Sequence, residues 1–547
     1  MNISTSRLCL LLLAAALVSL TSQAQNITGH VRCSGRGIAG VAVSDGITVV
    51  TTDAQGYYSL TSGKMNGYVF VTVPRGYEPA CRDGFAPQFW QLLNSPDSTV
   101  AEVHDFALNR VDNDNYTLIV SADPQVARRL NDLEEYREGF IPKIKQEAQT
   151  ARAQHQPIYN IVLGDLVWDG FWYSNNYDLH NFLADQAALG YPMPMFPAMG
   201  NHDNDGAVPQ GDSTDLLASR PWRTLMAPNY YSFNLGRVHY VVLDNVYYKN
   251  ENLPGKRNKG IAGKRNYDAR VPGYQLAWLR QDLALVDKNT PVVVAQHIPA
   301  WKYDKHHQAV NATQNIDEVA ACLKGFRRVH FITGHTHINR NVHPAAYNTD
   351  STSMWEQNIA SVCATTWWPG YLSGRDICAD GSPAGYSRWT VRGDTVQWKY
   401  VSIQDSDEPQ FSMWDINEVN RFMSTDADVL KMKTLTDKVP SWDDWAPNTL
   451  LVNVYAWDDD WTIEATEDGR PLTVVQQQAP APALFLSLGL PYFKKYNKPD
   501  DDKLGGRTFH IFKVQATTPD HPVTVRVRDS FGHTYERTMS RPAAFKL

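Results

Sequence analysis

Seven side chains in this 547-residue sequence have the types and spacing to hold metal ions. They stand in five short motifs. SADPQ carries Asp123 and Gln125, GDLVWDG carries Asp165 and Asp169, and GNHDND carries Asn201, His202 and Asp203; QHIP brings His297, and GHTH brings His335 and His337. A single Asp or His in such a place is usually a cap or a satisfied loop residue. Five motifs rich in carboxylate, amide and imidazole donors, with no thiolate among them, instead suit zinc, iron or manganese. Two adjacent cations can generate a nucleophile from water near neutral pH, and a nearby imidazole can pass a proton to a leaving group.

The elements around the motifs explain how they could meet. Short apolar runs at 116–121, 158–163, 195–199, 238–243, 291–296 and 329–333 read as strands. Helical spacing covers 130–153, 178–189, 272–287 and 315–325, the third opening at Pro272. Alternating strand and helix predicts a layered α/β domain. In such sheets ligands bind beyond the carboxyl ends of the strands, and five of the six strands lead directly into a motif. The fourth leads into Asp244-Asn245, which receives no role. Glycines at 164, 200 and 334 let the backbone turn sharply at the motifs.

In this order, GDLVWD, GNHD, QHIP and GHTH resemble the calcineurin-like metallophosphoesterase family over about 120–340. The flanks resemble a bacterial subfamily with a β-sandwich before the catalytic domain and a second β domain after it. The resemblance implies a two-sheet sandwich flanked by helices, a centre of two divalent metal ions (Mn, Fe, Zn or Mg), and hydrolysis of phosphate mono- or diesters by a metal-bridging hydroxide. It makes Asp165 the bridging carboxylate; Asp123, Gln125 and His337 complete one metal, and Asn201, His297 and His335 the other. His202 would assist the leaving group, oriented by Asp169 or Asp203. Most relatives carry histidine where this chain has Gln125, although some share the DPQ form. An amide oxygen is a weaker donor to transition metals, which makes the first site the labile one. The competing reading is an inactive binding protein that keeps the fold.

The flanks and the bulk composition set the remaining expectations. Residues 25–110 alternate apolar and polar positions between Asp- and Gly-rich turns, predicting an Ig-like all-β sandwich. The catalytic domain is expected over 112–405 and a β-rich domain over 406–547. The acids of WDDDW and PDDDK read as solvated loops. Residues 1–24 read as a signal peptide, with Arg7, an apolar stretch from Leu8 to Leu20 and a small-residue end at Ala24. No segment is a comfortable membrane span, so a soluble, exported protein, periplasmic or secreted, is expected. The formal charge of −7 disfavours a nucleic-acid partner and leaves a small-molecule or lipid-headgroup phosphate ester as the substrate. Trp168, Trp301, Trp367 and Trp368 are candidate substrate contacts, equally readable as loop packing. The basic stretch 249–267 could overhang the site, and ADGSPAGY at 379–386 could reach it. Outside the leader lie five cysteines, with Cys33–Cys81 and Cys363–Cys378 as candidate pairs for an oxidising compartment.

Overall fold

A computed structural model of the protein describes residues 25–251, 261–363 and 371–547. The leader expected over 1–24 and the candidate contacts Trp367 and Trp368 lie outside the described residues.

The apolar runs of the central region build two sheets. The first contains β1 (Asn115–Ser121), β2 (Ile158–Leu163) and β3 (Met195–Ala198) as parallel neighbours, with Ile161 between Val120 and Phe196 in register. The second orders β4 (Tyr231–Leu235), β5 (Val238–Val242), β6 (Val292–Ala295), β7 (Arg328–Thr333), β8 (Arg340–Val342) and β9 (Ser353–Asn358) as β4-β5-β6-β7-β9-β8. Its inner strands β5, β6, β7 and β9 are parallel. β2 is buried at all six positions, which is why its sequence shows an apolar run rather than alternation. The first sheet also gains two antiparallel strands that the sequence reading did not separate, β10 (Gly385–Arg392) and β11 (Thr395–Ser402).

The two sheets pack face to face. Phe196 of the first stacks on Phe233 of the second at 4.0 Å between ring centroids, and the Tyr116 and Tyr240 hydroxyls meet at 2.6 Å. Helices α1 (Ile141–Ala153), α2 (Leu179–Leu189), α3 (Gly273–Leu283) and α4 (Ile316–Cys322) flank them. The Asp178 carboxylate caps α2 by accepting the His180 and Asn181 N–H groups, and Gly190 ends that helix at φ 60°. The helix expected over 130–153 is divided by a π-helical turn at Tyr136–Phe140.

Residues 25–110 form a six-stranded and a four-stranded sheet, enclosing a buried Lys64–Glu102 ion pair. This sandwich rests on the central region through aromatic contacts, Phe89 with Tyr231 at 4.9 Å and Phe70 with Trp278 at 6.1 Å. Past residue 405, two four-stranded sheets share the chain with helices Ile416–Thr425, Ala427–Lys433 and Leu490–Tyr496. The helices are absent from the sequence expectation of a β-rich region. Neither candidate disulfide forms, and all five cysteines are free. Cys33 belongs to the N-terminal six-stranded sheet, whereas Cys81 pairs in a separate hairpin. The Cys363 thiol donates to the Pro124 carbonyl at 2.9 Å.

Candidate metal centre

Each candidate ligand lies just beyond the end of its strand. Asp123 and Gln125 follow β1, Asp165 follows β2, Asn201 follows β3, His297 follows β6, and His335 and His337 follow β7. At the remaining strand end Asn245 is structural, donating to the Ile298 carbonyl at 2.8 Å and Thr313 Oγ1 at 3.0 Å. Five of the seven candidate ligands hold positive φ: Asp123 at 51°, Gln125 at 46°, Asp165 at 52°, His335 at 70° and His337 at 57°. Non-glycine residues seldom adopt this region, and such strain concentrates at functional sites. The turns also pack too closely for side chains. A Cβ on Gly200 would lie 2.2 Å from both Asp165 N and Asp165 Oδ1, and one on Gly334 would lie 2.6 Å from Asp123 Oδ2.

The Asn201–His297–His335 half is a convergence of acceptors. His297 Nδ1 donates to the Leu163 carbonyl at 2.7 Å, which leaves the Nε2 lone pair facing inward. Around Nε2 stand Asn201 Oδ1 at 2.9 Å, His335 Nδ1 at 3.1 Å and Asp165 Oδ2 at 3.3 Å. Burial would lower the His297 pKa, but the Asp165 charge outweighs it and pushes the value up to about 9. Burial and the adjacent His297 push His335 down to about 3. The Asp165 charge thus favours positive charge at the point where these four polar atoms meet. A divalent cation satisfies all four lone pairs at once, so this donor set fits a metal.

The other half is built differently. The Asp123 carboxylate accepts the His335 N–H at 2.9 Å and lies 3.5 Å from His337 Nε2. The Gln125 amide donates from Nε2 to Asp165 Oδ2 at 3.3 Å. Its Oε1 is buried without a hydrogen-bond partner. Asp123 and Asp165 are at most 1 % exposed, and two such buried carboxylates call for compensating positive charge. For Asp165, burial raises the pKa, but His297 and His202 outweigh it and hold the carboxyl below its ordinary value. An orphaned amide oxygen beside two buried carboxylates also fits a cation.

His202 sits beside the ligands. Its backbone N–H donates to Asp165 Oδ1 at 2.8 Å, and its Nδ1 meets Asp169 Oδ1 at 2.7 Å. Burial would lower its pKa; the charges of Asp165 and Asp169 outweigh that and raise it. Arg265 Nη1 donates to the same Asp169 oxygen at 2.8 Å, so part of the basic stretch does reach the site. Asp203, the other candidate to orient His202, is bonded to backbone amides. Its carboxylate accepts the N–H groups of Gly200, Leu166 and Val167 and ties two ligand loops together. Burial and the Asp165 charge push Asp203 up to about 8.

The tryptophans divide. Trp168 lies 5.8 Å from the His202 ring and packs edge-on against Phe171. Trp301 is 1 % exposed and packs on Phe331 at 4.9 Å, so it belongs to the core rather than to a substrate rim. Tyr267, unnoticed in the sequence, places its hydroxyl 3.4 Å from His335 Nε2. Its only sequence signal is its place at the end of the basic stretch.

The chain matches the family described as calcineurin-like phosphoesterase over residues 116–339. The N-terminal region of that family matches 25–111 and its C-terminal region 356–535. No curated protein matches. Among solved structures, the chain is similar to a dimetal phosphatase from Danio rerio at 16 % identity, covering 52 % of this chain and 95 % of that one, with a TM-score of 0.32. A putative 5'-nucleotidase from Staphylococcus aureus aligns at 12 % identity over 79 % and 88 % of the two chains, with a TM-score of 0.31. A 5'-nucleotidase from Candida albicans aligns at 12 % identity over 54 % and 52 %, with a TM-score of 0.29.

Proposed function

The chain belongs to the calcineurin-like phosphoesterases, whose three regions it matches in order, and on that premise we propose how its residues divide the work of hydrolysing a phosphate ester. The family implies a dinuclear metal centre. Asp165 would be shared by the two ions, Asp123, Gln125 and His337 would hold one of them, and Asn201, His297 and His335 would hold the other. When bound, the two divalent cations (Mn, Fe, Zn or Mg) polarise the phosphoryl group and activate water.

His202 carries the proton step. Asp169 engages Nδ1, and the ring would protonate the leaving oxygen through Nε2. Asp169 fixes the ring and favours its cationic form, while Arg265 holds the Asp169 carboxylate in place. The His202 N–H bond to Asp165 ties the position of the acid to the carboxylate that would be shared by the ions. The 2.7 Å His202–Asp169 pair beside the four-atom convergence supports this reading most strongly.

Elemental analysis, together with hydrolysis of matched aryl phosphate mono- and diesters, tests it. About two metals per chain are expected, with turnover lost in His202→Ala. A binding protein that retains the fold would bind esters without releasing phosphate, and has no need of an oriented proton donor. The proposed substrate is a small-molecule or lipid-headgroup ester.

The division at 25–110, 112–405 and 406–547 is supported by β11 ending at Ser402 and the next sheet beginning at Phe411. Export is supported by the leader-like composition of 1–24, and among the described residues no helix is long and apolar enough to cross a membrane. A mature chain starting at Gln25 in an extracytoplasmic fraction is the expected result.

A further inference from the structure

Two segments that leave the metal centre go on to line one cleft. The chain after His297 runs on to Tyr303–His307, and the chain after His337 runs through Ile338 and Asn339 into β8. Together they form one wall of a cavity of about 320 Å³. Trp457, Asp459 and residues 506–510 of the C-terminal region form the other wall, with Ala379 and Asp380 of the ADGSPAGY loop between them. None of the seven ligands lines it. Arg340, however, is three residues from His337, so their Cα atoms lie within about 11 Å of one another.

The charges in this cleft are unequally satisfied. Asp304 accepts the His306 and Gln308 N–H groups. Asp380 accepts the Ser382 hydroxyl and faces His510 at 3.4 Å. Asp459 faces His307, also at 3.4 Å. Among the described residues, by contrast, neither Arg340 nor Lys305 has a side-chain hydrogen bond or an ion pair, and Glu356 and Asp380 act on Arg340 only at longer range. Arg340 is half-buried, where a guanidinium without a counterion is unfavourable and a planar anion can pair with it bidentately. Beside it runs an aromatic wall that crosses from one region to the other. Tyr303 stacks on His307 at 4.0 Å, and His307 meets Phe509 at 4.6 Å.

We propose that this cleft receives the leaving-group end of the substrate and selects a ring-bearing group with a negative charge of its own, paired with Arg340 and packed against Tyr303, His307 and Phe509. The inference rests on the phosphoesterase reading and adds the substrate class to it. The C-terminal region then serves as half of a specificity site.

Phenyl phosphate is to be compared with 4-carboxyphenyl phosphate and its one-ring-longer biphenyl homologue, in wild type, Arg340→Gln and Arg340→Lys, with melting curves to verify folding. A charge-assisted hydrogen bond predicts that wild type prefers a carboxylated ester by about tenfold or more in kcat/KM. Arg340→Gln should bring that ratio close to one, and Arg340→Lys should retain part of it. No preference in wild type, or the same preference in Arg340→Gln, overturns the proposal. If wild type hydrolyses none of the esters, the phosphoesterase reading fails separately. Calorimetric titration with 4-carboxybenzylphosphonate and benzylphosphonate then decides for the cleft. Tighter binding of the carboxylated compound, lost in Arg340→Gln, supports it, and equal binding of the two rejects it.

Discussion

The two halves of the candidate metal centre meet at Asp165 but differ in how they are prepared. Around His297, a backbone carbonyl fixes the imidazole tautomer and four acceptor atoms face one point. Around Gln125, an amide N–H is turned toward Asp165, and the carbonyl oxygen has no partner. A half-turn of that amide would put Oε1 where Nε2 now stands and make it a donor. One half is therefore set for a cation in advance, whereas the other must rearrange a neutral side chain to accept one. A shared backbone scaffold does not guarantee equal affinity, because affinity depends on which atoms the last side chain presents.

The sharpest way to break this comparison is His297→Ala. It should remove the ion of the prepared half and lower kcat/KM by roughly a thousandfold or more, with metal content falling from two per chain to one or fewer. Retention of both ions would show that the halves are equivalent. Asp169→Asn tests the proton donor apart from the metals. The expected loss is about a hundredfold in kcat at unchanged metal content, and a parallel loss of metal would place Asp169 in the metal-holding structure instead.

Gly200→Ala should loosen both halves together, since its methyl would meet the Asp165 backbone and carboxylate at 2.2 Å. The expected destabilisation is about 1–3 kcal/mol, read from thermal unfolding, with easier stripping of metal by a chelator. Gln125→His should affect one half only, tightening retention of the weaker ion by about tenfold in competition with a chelator.

The smallest effect serves as a control for acid. Burial raises the Glu408 carboxyl, but Arg388 and Lys399 outweigh it and lower the pKa from 4.5 to about 2. Its stabilising contribution is thus complete above about pH 4.5 and fades as the pH falls toward 2. Metal released above that window reflects ligand protonation rather than loss of this ion-pair cluster. Glu408→Gln should make the melting temperature less dependent on acid below about pH 4.5 and leave metal release between pH 5 and 7 unchanged.

The parts legible in the sequence are those with a local signature. Period and length placed six of the eleven strands β1–β11 within a residue or so at each end, missing β4, β8 and β9 among others. The motifs were visible because glycine and ligand fall together. Strands β10 and β11 were hidden because their sheet neighbour lies far back in the chain, and no local pattern assigns a strand to a distant partner. The C-terminal helix Ile416–Thr425 carries its own signature, an Asp415 cap and Ile416, Val419 and Met423 on one buried face, which the strand-like stretches further along overshadowed. Trp301 shows another limit: an aromatic beside a motif can point inward, and only the packing of Phe331 and Tyr347 around it reveals which way. Arg265 was noticed for its charge, but its bond to Asp169 joins residues 96 positions apart, and no local pattern reveals such a pair.

The late arrival of β10 bears on when this protein can choose its metals. Asp123 hangs from β1, and β1 is braced on one side by β10, Asn115 standing opposite Arg392. Roughly 270 residues separate the two strands, and pairings this distant are slow to form. A chain emerging from the ribosome therefore presents its first ligand long before the sheet that fixes that ligand is complete. Ion selection falls to whichever compartment sees residue 402 join the sheet. For a chain carried across a membrane unfolded, the metal supply on the far side would decide what the centre contains, whatever the cytoplasm holds.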